Sequence, residues 1–202
     1  MLFAFVVRFK AHPIALRGWV VYMKLLFLDI DGVLDSETFH HGPKDKQGFP
    51  FDRLDIKCLR RLEKIVANTG CQVVISSTWR ETWDINAFND LFKKLNCNIE
   101  VRYLTGIHRE SYKNRGSEIY DFIKQNEVAL NKKWYEFTEY VILDDDCDML
   151  YYQRNNFIFV DRTVGLTDKD CKQAIMILNN PPHPNMGYDI YSGSRIYNSN
   201  IP

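Results

Sequence analysis

Two aspartates separated by a single residue, Asp29 and Asp31, directly follow a short apolar segment and precede Gly32. Carboxylates that converge at the end of a buried strand repel each other unless a cation or a shared proton relieves the repulsion. Mg²⁺ gives that relief, because it typically binds one or two carboxylates together with a substrate phosphate. The pattern therefore predicts a magnesium site for phosphate chemistry, with Gly32 permitting a sharp turn. A surface turn is the alternative, since Asp and Gly are turn residues.

A second acidic cluster follows another apolar segment. Asp144, Asp145 and Asp146 are adjacent in the sequence, and Asp148 comes two residues later. Their mutual repulsion and loss of solvation are costs that a purely structural role does not explain. An exposed acidic turn is the alternative. Beside the first pair of aspartates, this cluster would complete the magnesium site.

Hydroxyl and guanidinium groups follow a third apolar segment. The predicted strand 72–76 ends in Ser76, and Ser77 and Arg80 come next. A hydroxyl in this position can hydrogen-bond a phosphate oxygen, although helix capping accounts for the same residues. Arg80 either contacts the substrate or braces the acidic loop, and the sequence does not separate these roles.

A basic segment at 108–115 precedes a predicted helix. A cation in this position could neutralise the charge that develops on a transferring phosphoryl group. Arg115 is our first choice for that role, and Lys113 is the second. A solvated basic loop is the alternative.

The elements that must position these residues alternate between strand and helix. Apolar or β-branched runs predict strands, and apolar residues at helical spacing predict helices, with Ser117 and Thr167 as N-caps of the last two. This alternation is typical of a doubly wound α/β domain with a mostly parallel sheet, in which ligands bind beyond the carboxyl ends of the strands. The predicted strands are 25–29, 72–76, 99–104, 139–144 and 156–160, and the predicted helices are 53–68, 85–95, 117–126 and 167–179.

The composition is that of a folded domain. The 202 residues are 46% hydrophobic and 26% charged, which excludes a disordered chain. The net charge of zero argues against binding of nucleic acid or a membrane driven by overall charge. The five cysteines contain no CxxC pair, and no apolar run is long enough for a membrane span, so we expect a cytoplasmic protein without a zinc site.

The two ends of the chain differ from its middle. Residues 1–23 are apolar but interrupted by three basic residues and a proline, and we interpret them as an extension outside the core. A signal peptide and an amphipathic surface segment are the alternatives. Residues 181–202 are rich in Asn, Pro, Ser and Gly, which favours a loose C-terminal tail. The predicted domain therefore spans 24–180.

Three of these segments resemble motifs of the haloacid dehalogenase (HAD) superfamily of phosphohydrolases. LLFLDIDGVLD resembles the first motif, VVISSTWR the second and VILDDDCD the fourth. Arg115 is the match for the third motif, which is a single basic residue. The resemblance covers 24–180 and implies a HAD-like Rossmannoid fold. The WR pair and the VGLT segment are similar to compact HAD domains of bacteria and viruses, some of which occur in nucleic-acid repair proteins.

The resemblance implies a two-step, magnesium-dependent hydrolysis of a phosphomonoester. The first aspartate of the DxD pair attacks phosphorus and forms an aspartyl-phosphate, and the second acts as general acid and then as general base. The implied magnesium ligands are Asp29, the backbone carbonyl of Asp31, and Asp144, with Asp145 or Asp148 as a further ligand or an orienting residue. The implied substrate contacts are Ser76 and Arg115 on the phosphoryl oxygens, with Gly32, Ser77, Arg80 and Lys113 nearby.

The spacing also suggests that the domain lacks a large cap. Only about 23 residues separate the first strand from the first long helix, and family members with a cap domain insert many more. An open site suits a bulky substrate such as a nucleic-acid end or a phosphoprotein, while a small phosphorylated molecule would need a partner to close the site. The segment 39–46 could contact such a substrate.

Two other classes of function stay open on the sequence alone. One is a catalytically silent HAD scaffold that binds partners. The other is a receiver-like signalling module, which also gathers acids at strand ends but takes its acceptor aspartate from a central strand. A phosphate-ester assay with and without Mg²⁺ separates an enzyme from both.

Overall fold

A computed structural model describes residues 23–40, 54–107 and 114–182. Several predictions concern residues outside these ranges: most of the two extensions, most of the segment 39–46, and the part of the basic segment from 108 to 113, which includes Lys113. Within the described part, five parallel strands form one sheet in the order β3-β2-β1-β4-β5. The strands are β1 Leu25–Leu28, β2 Gln72–Ile75, β3 Val101–Leu104, β4 Tyr140–Asp144 and β5 Phe157–Phe159.

Helices connect the strands, and the predicted α/β class with a parallel sheet is confirmed. The last helix begins after Thr167, whose side chain accepts a hydrogen bond from the Asp170 backbone N–H, as the sequence predicts. The predicted cap Ser117 is wrong, because Asn114 caps that helix and accepts from the Ser117 N–H at 3.0 Å. The helices are α1 Glu37–His40, α2 Ile56–Thr69, α3 Ile85–Lys94, α4 Arg115–Gln125, α5 Glu127–Leu130 and α6 Asp168–Asn179.

The central strand β1 is buried on both faces. Leu26 and Leu28 pack into a core with residues of α2, α3 and α6, whereas Leu25 and Phe27 pack into a second core with residues of α4 and α5. All four side chains are fully buried. Each such burial contributes about 1.5–3 kcal/mol to folding, which explains why the strand is a continuous apolar run rather than an alternating one.

The register of the sheet brings the polar strand ends together. Leu28 pairs with Ile75 on β2 and with Leu143 on β4, so the residues that follow these three positions meet at one edge. Strand β1 lies between β2 and β4, and the chain changes direction across the sheet at this point. Ligands bind at such switch points in open α/β sheets. In a receiver-like fold β1 lies between β2 and β3, so the receiver-like interpretation does not hold.

The described residues contain no large cap domain in addition to this sheet and its helices, in agreement with the capless expectation. None of the helices in this part of the chain combines the length and the apolar character that crossing a bilayer requires.

Candidate active site

The loop after β1 turns back immediately, and its glycine lies against the second acidic cluster. Leu34 N–H donates to the Ile30 carbonyl at 2.8 Å, and Gly32 N–H donates to the Asp35 carbonyl at 3.0 Å. Gly32 has a φ of +72°, and a Cβ at this position would overlap the Asp145 carboxylate. Gly32 is therefore required twice, for the backbone conformation and for the space that the Asp145 carboxylate fills.

Three carboxylates form the centre of the site. Oxygens of Asp29, Asp144 and Asp145 all lie within 4.8 Å of one another. Burial raises the pKa of Asp29, and burial together with the charge of Asp29 raises the pKa of Asp144 to about 7. Asp144 Oδ2 is buried and accepts no hydrogen bond within the described residues. Hard oxygen donors with an unused lone pair fit Mg²⁺, so these residues could hold the metal that the sequence predicts.

Arg115 faces two of these carboxylates, Asp29 and Asp144. Its Nη1 lies 3.3 Å from Asp29 Oδ1 and 3.4 Å from Asp144 Oδ2. Its backbone N–H donates to Asp148 Oδ2 at 2.9 Å, because Arg115 is the first residue of α4. The structure therefore brings Arg115 to the position where a third-motif cation is expected.

The two candidates for a further ligand have different surroundings. Asp145 belongs to the carboxylate cluster, and its Oδ2 accepts from Arg162 Nε at 2.9 Å and from Arg162 Nη2 at 2.6 Å. Asp148 instead ties the acidic loop to the first turn of α4 through the Arg115 N–H. Of the two, Asp145 lies in the carboxylate cluster and Asp148 does not.

Asp31 points to a tryptophan rather than into the cluster. Its Oδ2 accepts a hydrogen bond from Trp79 Nε1 at 2.7 Å. Trp79 also packs against Trp83, with ring centroids 5.3 Å apart and the ring planes tilted by 54°. The carboxylate of Asp31 lines the cavity and does not belong to the group of three clustered carboxylates.

Ser76 and Ser77 are both fully buried, and of their two hydroxyls only that of Ser77 hydrogen-bonds Asp29. The pKa of Asp29 is raised by burial, and Arg115 and a hydrogen bond from the Ser77 side chain oppose that effect. Ser76 Oγ has no hydrogen-bond partner in the described part of the chain. Sequence reasoning assigned the phosphoryl contact to Ser76; the hydroxyl that hydrogen-bonds Asp29 is that of Ser77, which also caps the short 3-10 helix Thr78–Glu81.

Arg80 is buried and does not line the cavity. Its guanidinium forms a salt bridge with Glu118, and it also donates to backbone carbonyls in the loops after β2 and β3. The sequence left two roles open for Arg80, and these contacts favour a structural role over contact with the substrate. The elements that Arg80 connects are the exits of β2 and β3 and helix α4, rather than the acidic loop. The carbonyl acceptors belong to Ser76, Ser77, Thr105 and Gly106.

An open cavity of about 360 Å³ covers the carboxylate cluster. Four of its lining residues were not proposed from the sequence: Asp35, Glu37, Thr78 and Arg162. The signal in the sequence that could have identified these residues is their position beyond the carboxyl ends of strands. Arg162, for example, lies three residues after the end of β5. The complete lining is Asp29, Asp31, Gly32, Asp35, Glu37, Thr78, Arg115, Asp144, Asp145, Asp146 and Arg162.

The sheet order and the aspartates at its carboxyl edge define a HAD-type α/β domain. A family model described as the HAD domain in Swiss Army Knife RNA repair proteins matches residues 25–171. The chain belongs to this family, and the HAD resemblance of its motifs is confirmed. No curated protein and no solved structure gives a significant match.

Proposed function

We propose that this protein is a magnesium-dependent phosphatase that removes a terminal phosphate from a nucleic acid through an aspartyl-phosphate intermediate. One observation carries the proposal: Asp29 and Asp144 share the Arg115 guanidinium at the carboxyl edge of two buried, neighbouring strands. Such a site combines a carboxylate nucleophile with fixed positive charge, which is what phosphoryl transfer requires. The family name, which refers to RNA repair proteins, supports a nucleic-acid end as substrate.

The metal would be held by the carboxylates of Asp29, Asp144 and Asp145, with the backbone carbonyl of Asp31 as a further ligand. When bound, Mg²⁺ offsets the negative charge of the carboxylates and of the phosphoryl oxygens. Arg162 pairs with Asp145, so it would fix the orientation of that carboxylate at the rim of the cavity.

The first step transfers the phosphoryl group to the protein. A carboxylate oxygen of Asp29 forms a bond to phosphorus as the bond from phosphorus to the leaving oxygen breaks. Asp31, oriented by Trp79, gives its proton to that leaving oxygen. Arg115 and the Ser77 hydroxyl hold the phosphoryl oxygens during the transfer, and this positioning supplies much of the catalysis.

The second step releases inorganic phosphate. Asp31, now ionised, takes a proton from a water molecule as the water oxygen bonds to phosphorus. The bond between phosphorus and Asp29 breaks, which restores both carboxyl groups to their starting states. The same residue thus acts first as acid and then as base.

The openness of the site supports a long substrate. No cap domain covers the cavity among the described residues, so a small metabolite would gain little binding energy from groups remote from its phosphate. A polynucleotide can lie across the rim, where the side chain of Arg162 is exposed beside Asp145. A phosphopeptide or a small phosphate ester is the competing substrate class.

Turnover of defined phosphate esters tests the proposal. We expect magnesium-dependent release of phosphate from an aryl phosphate, and a higher kcat/KM on an oligoribonucleotide with a 3′- or 5′-phosphate than on a phosphopeptide. The Asp29→Asn variant is the control for contaminating phosphatase. No turnover of any ester with Mg²⁺ would favour a catalytically silent scaffold, and a strong preference for one small metabolite would contradict the nucleic-acid assignment.

A further inference from the structure

Glu118 is a buried carboxylate on α4 that the proposed mechanism does not use. It is 8% exposed and does not line the cavity. Its Oε2 forms a salt bridge with Arg80 Nη2 and lies 3.9 Å from Arg115 Nε. A buried acid between two guanidinium groups therefore lies directly behind the cation of the site.

Arg80 fixes Glu118 from one side. Its Nε and two Nη groups donate to carbonyls in the loops after β2 and β3 as well as to Glu118. Burial lowers the pKa of Arg80, and the charge of Glu118 offsets part of that effect. Because a planar guanidinium presents its donors in a rigid fork, so many acceptors leave Arg80 a single orientation.

Arg115 presents its two edges to different partners. Its Nε faces Glu118, one helical turn away on α4, while its Nη1 faces Asp29 and Asp144. Since the guanidinium is rigid, a constraint on the Nε edge determines where the Nη1 group points. Glu118 is therefore placed to influence the orientation of Arg115 without lining the cavity.

We propose that Glu118, anchored by Arg80, is the positioning residue that orients Arg115 toward the phosphoryl oxygens. The inference rests on the proposed phosphatase function and adds to it the means by which the third-motif cation is held. Arg80 and Glu118 together connect the exits of β2 and β3 to the first turn of α4. This connection gives the WR pair after the second motif a role at the site although Arg80 does not contact the cavity.

Glu139 provides a matched control. It is 7% exposed, and Lys132 is its salt-bridge partner. It lies directly before β4, at the opposite end of that strand from Asp144. Glu139→Gln and Glu118→Gln each remove the charge of a buried carboxylate from an ion pair, but only the second removes a partner of Arg115.

The test compares the two variants in the full chain by steady-state kinetics on an aryl phosphate, thermal unfolding and inhibition by inorganic phosphate. We expect Glu118→Gln to lower kcat by about tenfold to a hundredfold and to weaken phosphate inhibition. Glu139→Gln is expected to lower the melting temperature similarly and to leave kcat and phosphate inhibition unchanged. Equal kinetic effects of the two variants would overturn the inference.

A second comparison separates positioning from general destabilisation. Arg115→Lys keeps the positive charge but lacks the planar guanidinium. In an Arg115→Lys background, Glu118→Gln should therefore cause no further loss of kcat. Independent, additive losses would contradict a role through Arg115. If Glu118→Gln does not fold, Glu118→Asp keeps the charge on a side chain one methylene shorter, and it should lower kcat and weaken phosphate inhibition; a folded Glu118→Asp protein with wild-type kinetics would contradict the inference.

The result for the wild-type protein distinguishes the two claims. A wild type without turnover would contradict the proposed function and this inference with it. An active wild type whose Glu118 and Glu139 variants behave alike would contradict the inference alone.

Discussion

Strand β4 buries a carboxylate at each end, and the two carboxylates have different surroundings. Glu139 precedes the strand, is paired with Lys132 and accepts a hydrogen bond from the Thr138 N–H at 3.2 Å. Asp144 ends the strand, faces the same guanidinium as Asp29, and has an oxygen with no hydrogen-bond partner among the described residues. The first arrangement is a neutral ion pair, whereas the second leaves negative charge available for a ligand.

The difference follows from the direction of the strands. All five run parallel, so their carboxyl ends and the loops that follow them meet at one edge. Three clustered carboxylates at this edge face the guanidinium groups of Arg115 and Arg162. Burial of like charges costs folding free energy unless a further cation binds. We therefore expect substitutions at the Asp144 end to alter activity and those at the Glu139 end to alter stability.

The largest expected effect is that of Asp29→Asn. The amide is nearly the same size as the carboxylate but is a far poorer nucleophile, so turnover should fall by about 10⁴ or more while the fold is retained. Glu139→Gln is the comparison, since it should retain turnover. Phosphate release together with circular dichroism checks both. More than a few per cent of residual activity in folded, purified Asp29→Asn protein would remove Asp29 from the nucleophile role.

Asp144→Asn should raise the Mg²⁺ concentration needed for half-maximal activity by about tenfold to a hundredfold, because a charged ligand is lost. The same change removes repulsion with Asp29, so the melting temperature of the metal-free protein should stay equal or rise. Glu139→Gln should lower the free energy of unfolding by roughly 1–3 kcal/mol. An unchanged magnesium titration in Asp144→Asn would exclude Asp144 as a ligand.

Gly32→Ala should weaken magnesium-dependent activity, because the new Cβ would collide with the Asp145 carboxylate. Gly70 is the matched control, with a φ of +66° and no atom within 4 Å of the position that a Cβ would occupy. Both substitutions place a side chain in the left-handed region and should lower stability by about 1–2 kcal/mol. Only Gly32→Ala should shift the magnesium titration. A comparable shift in Gly70→Ala would mean that backbone strain alone accounts for the effect.

The smallest expected effect concerns the ends of the chain. A fragment of residues 24–180 contains both buried carboxylate arrangements and every group assigned to catalysis, so it should fold and hydrolyse an aryl phosphate like the full chain. Its melting temperature and kcat are the measurements. Loss of the fold on removal of residues 1–23 would show that this apolar segment contributes to the core.

The sequence predicted the sheet and the two acidic clusters because both depend on local patterns. Continuous apolar runs define β1 and β4, and the parallel register then places Asp29 beside Asp144. Arg115 lies beside both aspartates because it begins a helix whose first turn is tied to the acidic loop. The sheet and the acidic clusters follow from spacing and strand direction, whereas the choice of Arg115 came from the basic segment and the family resemblance.

Other features depend on contacts that no local pattern encodes. The choice between Ser76 and Ser77 depends on which hydroxyl turns toward Asp29 as β2 ends. The pairing of Arg162 with Asp145 and of Arg80 with Glu118 joins residues 17 and 38 positions apart. Predicting such pairs requires the packing of separate elements, which only the folded structure provides.

Trapping of the covalent intermediate tests the central claim most directly. The Asp31→Asn variant lacks the base for the second step, so with an aryl phosphate, whose leaving group needs no acid, it should accumulate one phosphoryl group on Asp29. Mass spectrometry of the acid-quenched protein should locate that group on the peptide that contains Asp29, and Asp29→Asn should prevent it. An active wild type with no phosphorylated Asp29 peptide in the Asp31→Asn variant would contradict the aspartyl-phosphate mechanism.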